Sequence, residues 1–490
     1  MVGGQALKTA QVPRVLEPAD QPEEEVRWSS VRLDEVFERQ LRLEASVFGV
    51  EGKHAREVLR ECTWPLLAVT GEHGFAEAYY PTRFKRITCE ESSYPLILPS
   101  QITEINPRPK AYLSPLCKTD FELLKARKGQ VVLTRSGTVG NCSLVTDTLN
   151  GKTLSDDIIR ITCTSENDTG FVYAFLRTKI GNALIRTNEY GAVVSHIEPE
   201  HLENVPIPDP PPVLKKRIHD LVMRCYALRD ESNHLLDDAE ELLYETLNLP
   251  PLNRLRPRYF DRSADLRNYE AKLSQLAGRL DGSFHVPIVG SIMRRLRKYA
   301  AEVTRVGDQR ITKRVILPGR FARVYVQEGQ GIPFFGGKQL YELDPSNKKY
   351  LSLKHHGERI RRELTITENM LLVTRSGTVG KVALVPTHWE GWIPNEHIIR
   401  VEPATDRIAG YLYVFLTSEY GYELITHFTY GSVVDEIDDN HMAAVPIPLL
   451  DDRAQRRINA LALEANKKRA EAYRLEQEAI RIANEEVIHA

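Results

Sequence analysis

The heptapeptide Thr-Arg-Ser-Gly-Thr-Val-Gly occurs twice in this 490-residue chain, at 134–140 and again at 374–380. In each copy an arginine, Arg135 or Arg375, closes an apolar run, and hydroxyls follow at Ser136 and Thr138 or at Ser376 and Thr378. Glycines at that spacing can leave backbone N–H groups facing an anion, and the hydroxyls add donors, so the chemistry on offer is the binding of a phosphate oxygen. A plain β-turn that needs glycine for its backbone angles is the competing reading.

Cations cluster nearby. Residues 294–323 hold ten Lys and Arg, including Arg314, Arg320 and Arg323, against Glu302 and Asp308 alone. The first half has smaller groups at Arg83, Lys85 and Arg86, at Arg108 and Lys110, and at Lys125, Arg127 and Lys128. Such stretches are commonly solvated faces. These fall inside both repeats of a chain whose net charge is only −2, which favours local footprints on a polyanion such as DNA. Tyr94, Gln101, Asn106, Gln330, Lys338 and Gln339 are of types that reach base edges; Gln330 and Lys338 join the candidate DNA-binding set.

Other patterns resemble sites without qualifying. GQGIPFFGGKQ (329–339) lacks a phosphate loop's spacing and its Ser/Thr, since Gln339 stands there. DPPP (209–212) lacks the aromatic of an amino-methyltransferase motif. Asp156 and Glu396 are matched acids, but no second matched carboxylate or lysine gives nuclease spacing, so turn or capping roles are expected. No catalytic constellation, metal site or cofactor is expected. The six cysteines all lie in the first half, form no C-x-x-C pair and do not recur, so they are expected to be free thiols in a reducing cytoplasm. No apolar run approaches a membrane span, and residues 1–29 are expected to be a polar arm.

What must position the heptapeptides is a duplicated domain. At a constant offset of 240, SDDIIRI (155–161) answers NEHIIRV (395–401), GFVYAFL (170–176) answers GYLYVFL (410–416), and VPIP (205–208) answers VPIP (445–448). Tyr190-Gly191 with Val193-Val194 likewise answers Tyr430-Gly431 with Val433-Val434. Upstream the offset slips to 238 (KAYLS 110–114, KKYLS 348–352) and then to 237 (Phe84 and Arg86, Phe321 and Arg323). The runs before each heptapeptide, CSLVT with VALVP, and IIRIT with IIRVE read as strands, and residues 171–185 and 411–425 as at least one helix. The fold class expected is α/β (α+β).

Each VPIP is followed by a long amphipathic pattern. Residues 212–247 carry Ile218, Leu221, Val222, Cys225, Leu228, Leu235, Leu236, Leu242 and Leu243 on one stripe; residues 452–487 carry Ile458, Leu461, Leu463, Tyr473, Leu475, Ile480 and Ile482. Helices of this length reach about 50 Å, and a stripe without a partner in its own domain pairs most naturally with its counterpart. Two antiparallel coiled-coil helices are expected to join the two domains.

Paired TRSGTVG domains, each ending in VPIP and a long helix, resemble the specificity (S) subunit of type I restriction–modification enzymes over roughly residues 30–490. The resemblance implies target-recognition domains at 30–208 and 266–448, each reading half of a bipartite double-stranded DNA site. It implies helical spacers at 209–265 and 449–490 that separate them and dock methyltransferase (modification) subunits, two in number, and a complex that recruits a motor nuclease (restriction) subunit. The subunit itself would be non-catalytic. The chain departs from even duplication in its long N-terminal arm and in basic content weighted toward the second copy. A specificity subunit of a related phage-defence or methylation-only system, an enzyme with an unrecognised site in each repeat, and a protein-binding scaffold stand as alternatives.

Overall fold

A computed structural model describes residues 30–38, 41, 45–191, 195–255, 270–276, 278–345 and 348–490. The arm at 1–29, Val193-Val194 and the linker from 256 to 269 lie outside them.

The first copy forms strands β1 (Leu66–Ala68), β2 (Ala76–Tyr79), β3 (Thr88–Cys89), β4 (Pro95–Ile97), β5 (Ala111–Leu113), β6 (Val131–Thr134), β7 (Cys142–Leu144), β8 (Thr153–Leu154), β9 (Ile158–Cys163) and β10 (Pro206–Pro208). The second forms β11 (Glu302–Arg305), β12 (Thr312–Ile316), β13 (Tyr325–Val326), β14 (Gly331–Phe335), β15 (Lys349–Ser352), β16 (Leu371–Thr374), β17 (Val382–Leu384), β18 (Ile393–Pro394), β19 (Ile398–Pro403) and β20 (Pro446–Leu449). Strand for strand they assemble alike. A main sheet runs β2-β9-β6-β7 in one copy and β12-β19-β16-β17 in the other; a small sheet runs β3-β5-β4-β8 and β13-β15-β14-β18; and β1 pairs with β10 as β11 does with β20. Register is shared too, Val131 facing Ile161 where Leu371 faces Val401.

The helices are α1 (Val50–Arg60), α2 (Thr169–Arg177), α3 (Lys179–Arg186) and α4 (Pro212–Thr246), then α5 (Pro287–Tyr299), α6 (Asp406–Thr417), α7 (Glu419–Thr426) and α8 (Asp452–Ile482), which a wider turn extends to Ile488. The apolar stretch after β9 breaks into two helices at Thr178, and that after β19 at Ser418. There each hydroxyl accepts from the backbone N–H three residues on and starts a new helix.

Helices α4 and α8 run antiparallel side by side. Going down α4, Arg217 meets Glu486 at 2.8 Å, Arg229 meets Glu476 at 2.6 Å, and Glu231 meets Lys468 at 2.8 Å. The α4 stripe is buried largely as expected, at Ile218, Val222, Cys225, Leu228, Leu236 and Leu243. The α8 seam is different. Beyond Ile458 and Ile482 it buries Ala462, Ala465, Ala472 and Ala479, with Leu461, Leu463 and Leu475 only packed at its margin. Small residues bring the two backbones close.

Glycine does the same where the domains dock. Gly170 of α2 lies so near α4 that a Cβ would come within 2.6 Å of the His219 Cα; the equivalent Cβ at Gly410 of α6 would sit 2.5 Å from the Asn459 carbonyl oxygen of α8. Both obstacles are backbone, so a methyl group must push a helix aside. Gly410→Ala should therefore lower stability by about 1–3 kcal/mol, measured as a fall in the urea midpoint with unchanged slope.

The cores are interlaced. One joins the first copy's sheet and α2 to the near end of α4 and the far end of α8, including Ala472, Ile482 and Val487. The other joins the second copy to the near end of α8, the far end of α4 and the residues just past it, including Leu243 and Leu249. The copies also touch directly: the backbone N–H of Ile105 donates to the Tyr341 carbonyl at 2.9 Å, and Glu104 bridges Glu342. These two glutamates are equivalent at the 238 offset, so an approximate two-fold axis passes between them.

Arg160 of β9 and Arg400 of β19 are matched and fully buried. Their guanidiniums donate only to backbone carbonyls, those of Leu124, Leu154, Ser155 and Ile158 in one copy and Leu364, Pro394, Asn395 and Ile398 in the other. Leu154 lies in the small sheet and Ile158 in the main one, so each arginine ties the two together.

Candidate nucleic-acid interface

The heptapeptide loop is a tight turn. Gly137, Gly140, Gly377 and Gly380 all have positive φ, between +73° and +91°, where side chains are strained. Their N–H groups are engaged internally: Gly137 and Gly377 donate to the carbonyls of Ser195 and Asp435, Gly140 and Gly380 to those of Thr134 and Thr374. The turn reading thus accounts for the glycines, and these four amides do not face an open anion site. Gly137-Thr138 and Gly377-Thr378 form exposed tips above buried Val139 and Val379.

The arginines ending the strands are held in ion pairs. Arg135 is only 4% exposed and pairs with Glu198 and with Asp157 (3.2 Å), its guanidinium 4.6 Å over the Tyr80 ring. Burial works against both charges of the Arg135–Glu198 pair. Their mutual hydrogen bonds more than offset it, holding the arginine protonated and the Glu198 carboxyl below its usual range. Ser136 donates to Asp157. In the second copy Arg375 pairs with Glu436 at 2.5 Å and donates to the Ile437 carbonyl, while Ser376 lies 2.7 Å from His397 Nδ1.

The upstream basic segments come to the same place. Arg86 donates to Asp156 and Ser155, and Arg323 pairs with Glu396. Asp156 and Glu396 are buried, so the matched acids anchor matched arginines. The heptapeptide, the arginine segment and the acid after β8 or β18 converge in both copies.

The remaining candidates scatter. Arg108 faces Asp237 and Glu240 of α4 at 3.1 and 3.5 Å. Arg314 on the outer strand β12 is paired with Glu402 at 2.7 Å, and Arg310 with Glu302 and Asp308. Lys85, Lys110, Arg320, Gln330 and Lys338 are exposed. Gln101 is buried and bonds the Arg108 and Leu98 backbone, a structural duty. Glu198 and Glu436, which hold the arginines, were not singled out from sequence, and Tyr190, whose hydroxyl donates to Glu198, was noticed only as part of the repeat. Pairing Arg86/Arg323 with Asp156/Glu396, matched charges of opposite sign, was the signal available. Among the described residues no cluster of three metal-ligating side chains occurs, no helix is long and apolar enough to cross a membrane, and the six cysteines are free thiols.

No family model and no curated protein matches this chain. Solved structures do. The chain is similar to the type I restriction–modification system S subunit from M. genitalium at 11% identity, over 87% of this chain and 95% of that one, with a TM-score of 0.30. It is similar to the HsdS subunit from Thermoanaerobacter tengcongensis at 17% identity, over 85% and 98%, with a TM-score of 0.27. A third, from a structure of type I R-M system assembly and conformational transition, has 16% identity over 86% and 97%, and a TM-score of 0.27. Scores this low leave the site to be judged on this chain's own contacts.

Proposed function

We propose that this protein is the sequence-specific double-stranded DNA-recognition subunit of a type I restriction–modification complex. The two copies, 30–208 and 266–448, each read one half of a bipartite, asymmetric site. The observation that carries this is the strand-for-strand duplication about an approximate two-fold axis on paired antiparallel helices. Such a body presents two equivalent surfaces at a fixed separation, as duplex readers with two half-sites do. The copies differ in the small sheet, SSYPLILPS against GQGIPFFGGK, which supports different half-sites.

The helical spacers 209–265 and 449–490 dock two methyltransferase subunits, and a motor nuclease joins the assembly in the cytoplasm; the subunit itself does no catalysis. Exposed Lys85, Lys110, Thr138, Arg320, Gln330, Lys338 and Thr378 are the direct DNA contacts among the candidates. Buried Arg135 and half-buried Arg375, with Ser136, Ser376, Arg86 and Arg323, hold the surface that carries them, and Arg108 and Arg314 add positive potential.

Selection from a randomised duplex library, with and without methyltransferase subunits, tests this. A gapped two-part motif whose binding weakens steeply with salt is expected. Recovery of no DNA would favour a protein scaffold, and turnover by the isolated chain an enzyme.

A further inference from the structure

The small sheets carry a feature that the duplication repeats although the residues differ. In the first copy the chain leaves β5 through Ser-Pro-Leu-Cys-Lys (114–118), and Leu116 stands 77% exposed at its tip. The Ser114 N–H donates to the Ile87 carbonyl and the Cys117 thiol lies against the Ile87 backbone. Segments 85–88 and 114–118 therefore lie side by side. Ile87 is 40% exposed next to Leu116, flanked by exposed Lys85 and Lys118.

In the second copy the chain leaves β15 through Leu-Lys-His-His (353–356), and Leu353 is 50% exposed. The helix that starts there, Leu353–Arg359, is pinned to the same neighbour: Val324 N–H donates to His356 Nε2, and Arg359 donates to the Gly319 carbonyl at 2.6 Å. Lys354 is exposed beside Leu353, and the same helical segment, 353–364, carries exposed Arg361 and Arg362, with exposed Arg320 next to the Gly319 that Arg359 holds. Glu363 on that segment is taken by Arg359 at 2.6 Å, leaving Glu358 as its exposed acid.

An exposed leucine on a segment rich in cations does not suit a protein interface, whose buried centre is depleted of charge. It suits a polyanion with apolar groups recessed between its charges. That description fits the major groove, where thymine methyl groups lie between rows of phosphates. We propose that the segments after β5 and β15 are the groove-inserting elements, with Leu116 and Leu353 reading thymine methyl groups and the surrounding cations engaging flanking phosphates. This rests on the DNA-recognition reading above and names residues for it.

The test uses the full chain, with its partners if binding requires them, in library selection of the parent, Leu116→Ser and Leu353→Ser. Each variant should lose preference by about five- to a hundredfold at one or two adjacent positions of one half-site, leaving the other half untouched. Substituting uracil for thymine at those positions in the parent's duplex should weaken the parent and leave the variant unchanged. Lys118→Gln and Lys354→Gln should weaken all sequences alike and each reduce the salt slope by about one. Leucines so exposed do not hold the fold, so lost binding will not be misread as unfolding. A parent motif returned unaltered by both leucine variants, or one insensitive to uracil, overturns the assignment while leaving DNA recognition standing. A parent that selects no motif overturns DNA recognition itself.

Discussion

Glu476→Leu should destabilise the protein by about 3–5 kcal/mol, the usual cost of stripping one partner from a buried ion pair. Glu476 of α8 is 1% exposed. It accepts from Arg229 of α4 at 2.6 Å and from the Tyr173 hydroxyl of α2, with Arg177 3.7 Å away. Without it the guanidiniums of Arg177 on α2 and Arg229 on α4 are left together, and only Arg177 has another carboxylate, Asp344 of the second copy at 3.4 Å. The equivalent position on α4 is Leu236. There Arg469 is satisfied without an acid, by Ser232, Asn233 and Tyr413 at 3.2–3.3 Å. A leucine therefore fits this architecture where the facing side chain needs no acid, and Glu476→Leu with Arg229→Met should unfold at a higher urea concentration than Glu476→Leu alone. A double variant as unstable as the single would show that the acid is needed for more than charge balance.

The sign of its pH dependence follows. Burial pushes the Glu476 carboxyl up, but Arg229 and Arg177 pull harder and leave it below its ordinary value of 4.5. A depressed folded pKa contributes stability that is present above 4.5 and disappears as pH falls through the lower, folded value. Urea midpoints taken downward from pH 6 should drop in the parent and drop less in Glu476→Leu.

The second large effect concerns separation. Seven extra residues in α4 between 229 and 235, matched by seven in α8 between 466 and 471, should lengthen the gap between half-sites by about three base pairs. A heptad adds about 10 Å of helix while turning its faces by only about 20°, and base pairs are stacked at about 3.4 Å. Both insertions are required. The first copy holds the near end of α4 and the far end of α8, so lengthening one helix alone shifts Arg229 off Glu476 and Arg469 off Asn233. Single insertions should fail to give folded protein, seen by circular dichroism. An unchanged gap in a folded double insertion would show that something other than these helices sets the distance.

Much of this was legible in residues. The constant offset exposed the main sheets because buried strands tolerate few substitutions, and the slips from 240 to 238 to 237 fall in connections between strands. Helices α1 and α5 escaped because their sequences, VEGKHAREVLR and PIVGSIMRRLRKY, share little beyond an apolar face. The second of them was noticed only as cations. Alanines hid the seam of α8, since hydrophobic size drew attention to leucines that ended at its margin. The basic clusters were over-weighted for a physical reason: the acids that neutralise Arg314 and Arg86 lie 88 and 70 residues away in the chain, and no local count of charge shows them.

Interlacing of the two cores has a consequence during synthesis. While the ribosome is still translating, the first copy emerges with its sheet and the near end of α4, but Ala472, Ile482 and Val487 are the last of its core to be made. Its apolar face must wait, uncovered, through translation of the whole second copy. Nascent chains released early would keep that face open and be prone to clump. Abundance in the cell should accordingly track how faithfully the final helix is completed and how well chaperones shield the waiting half.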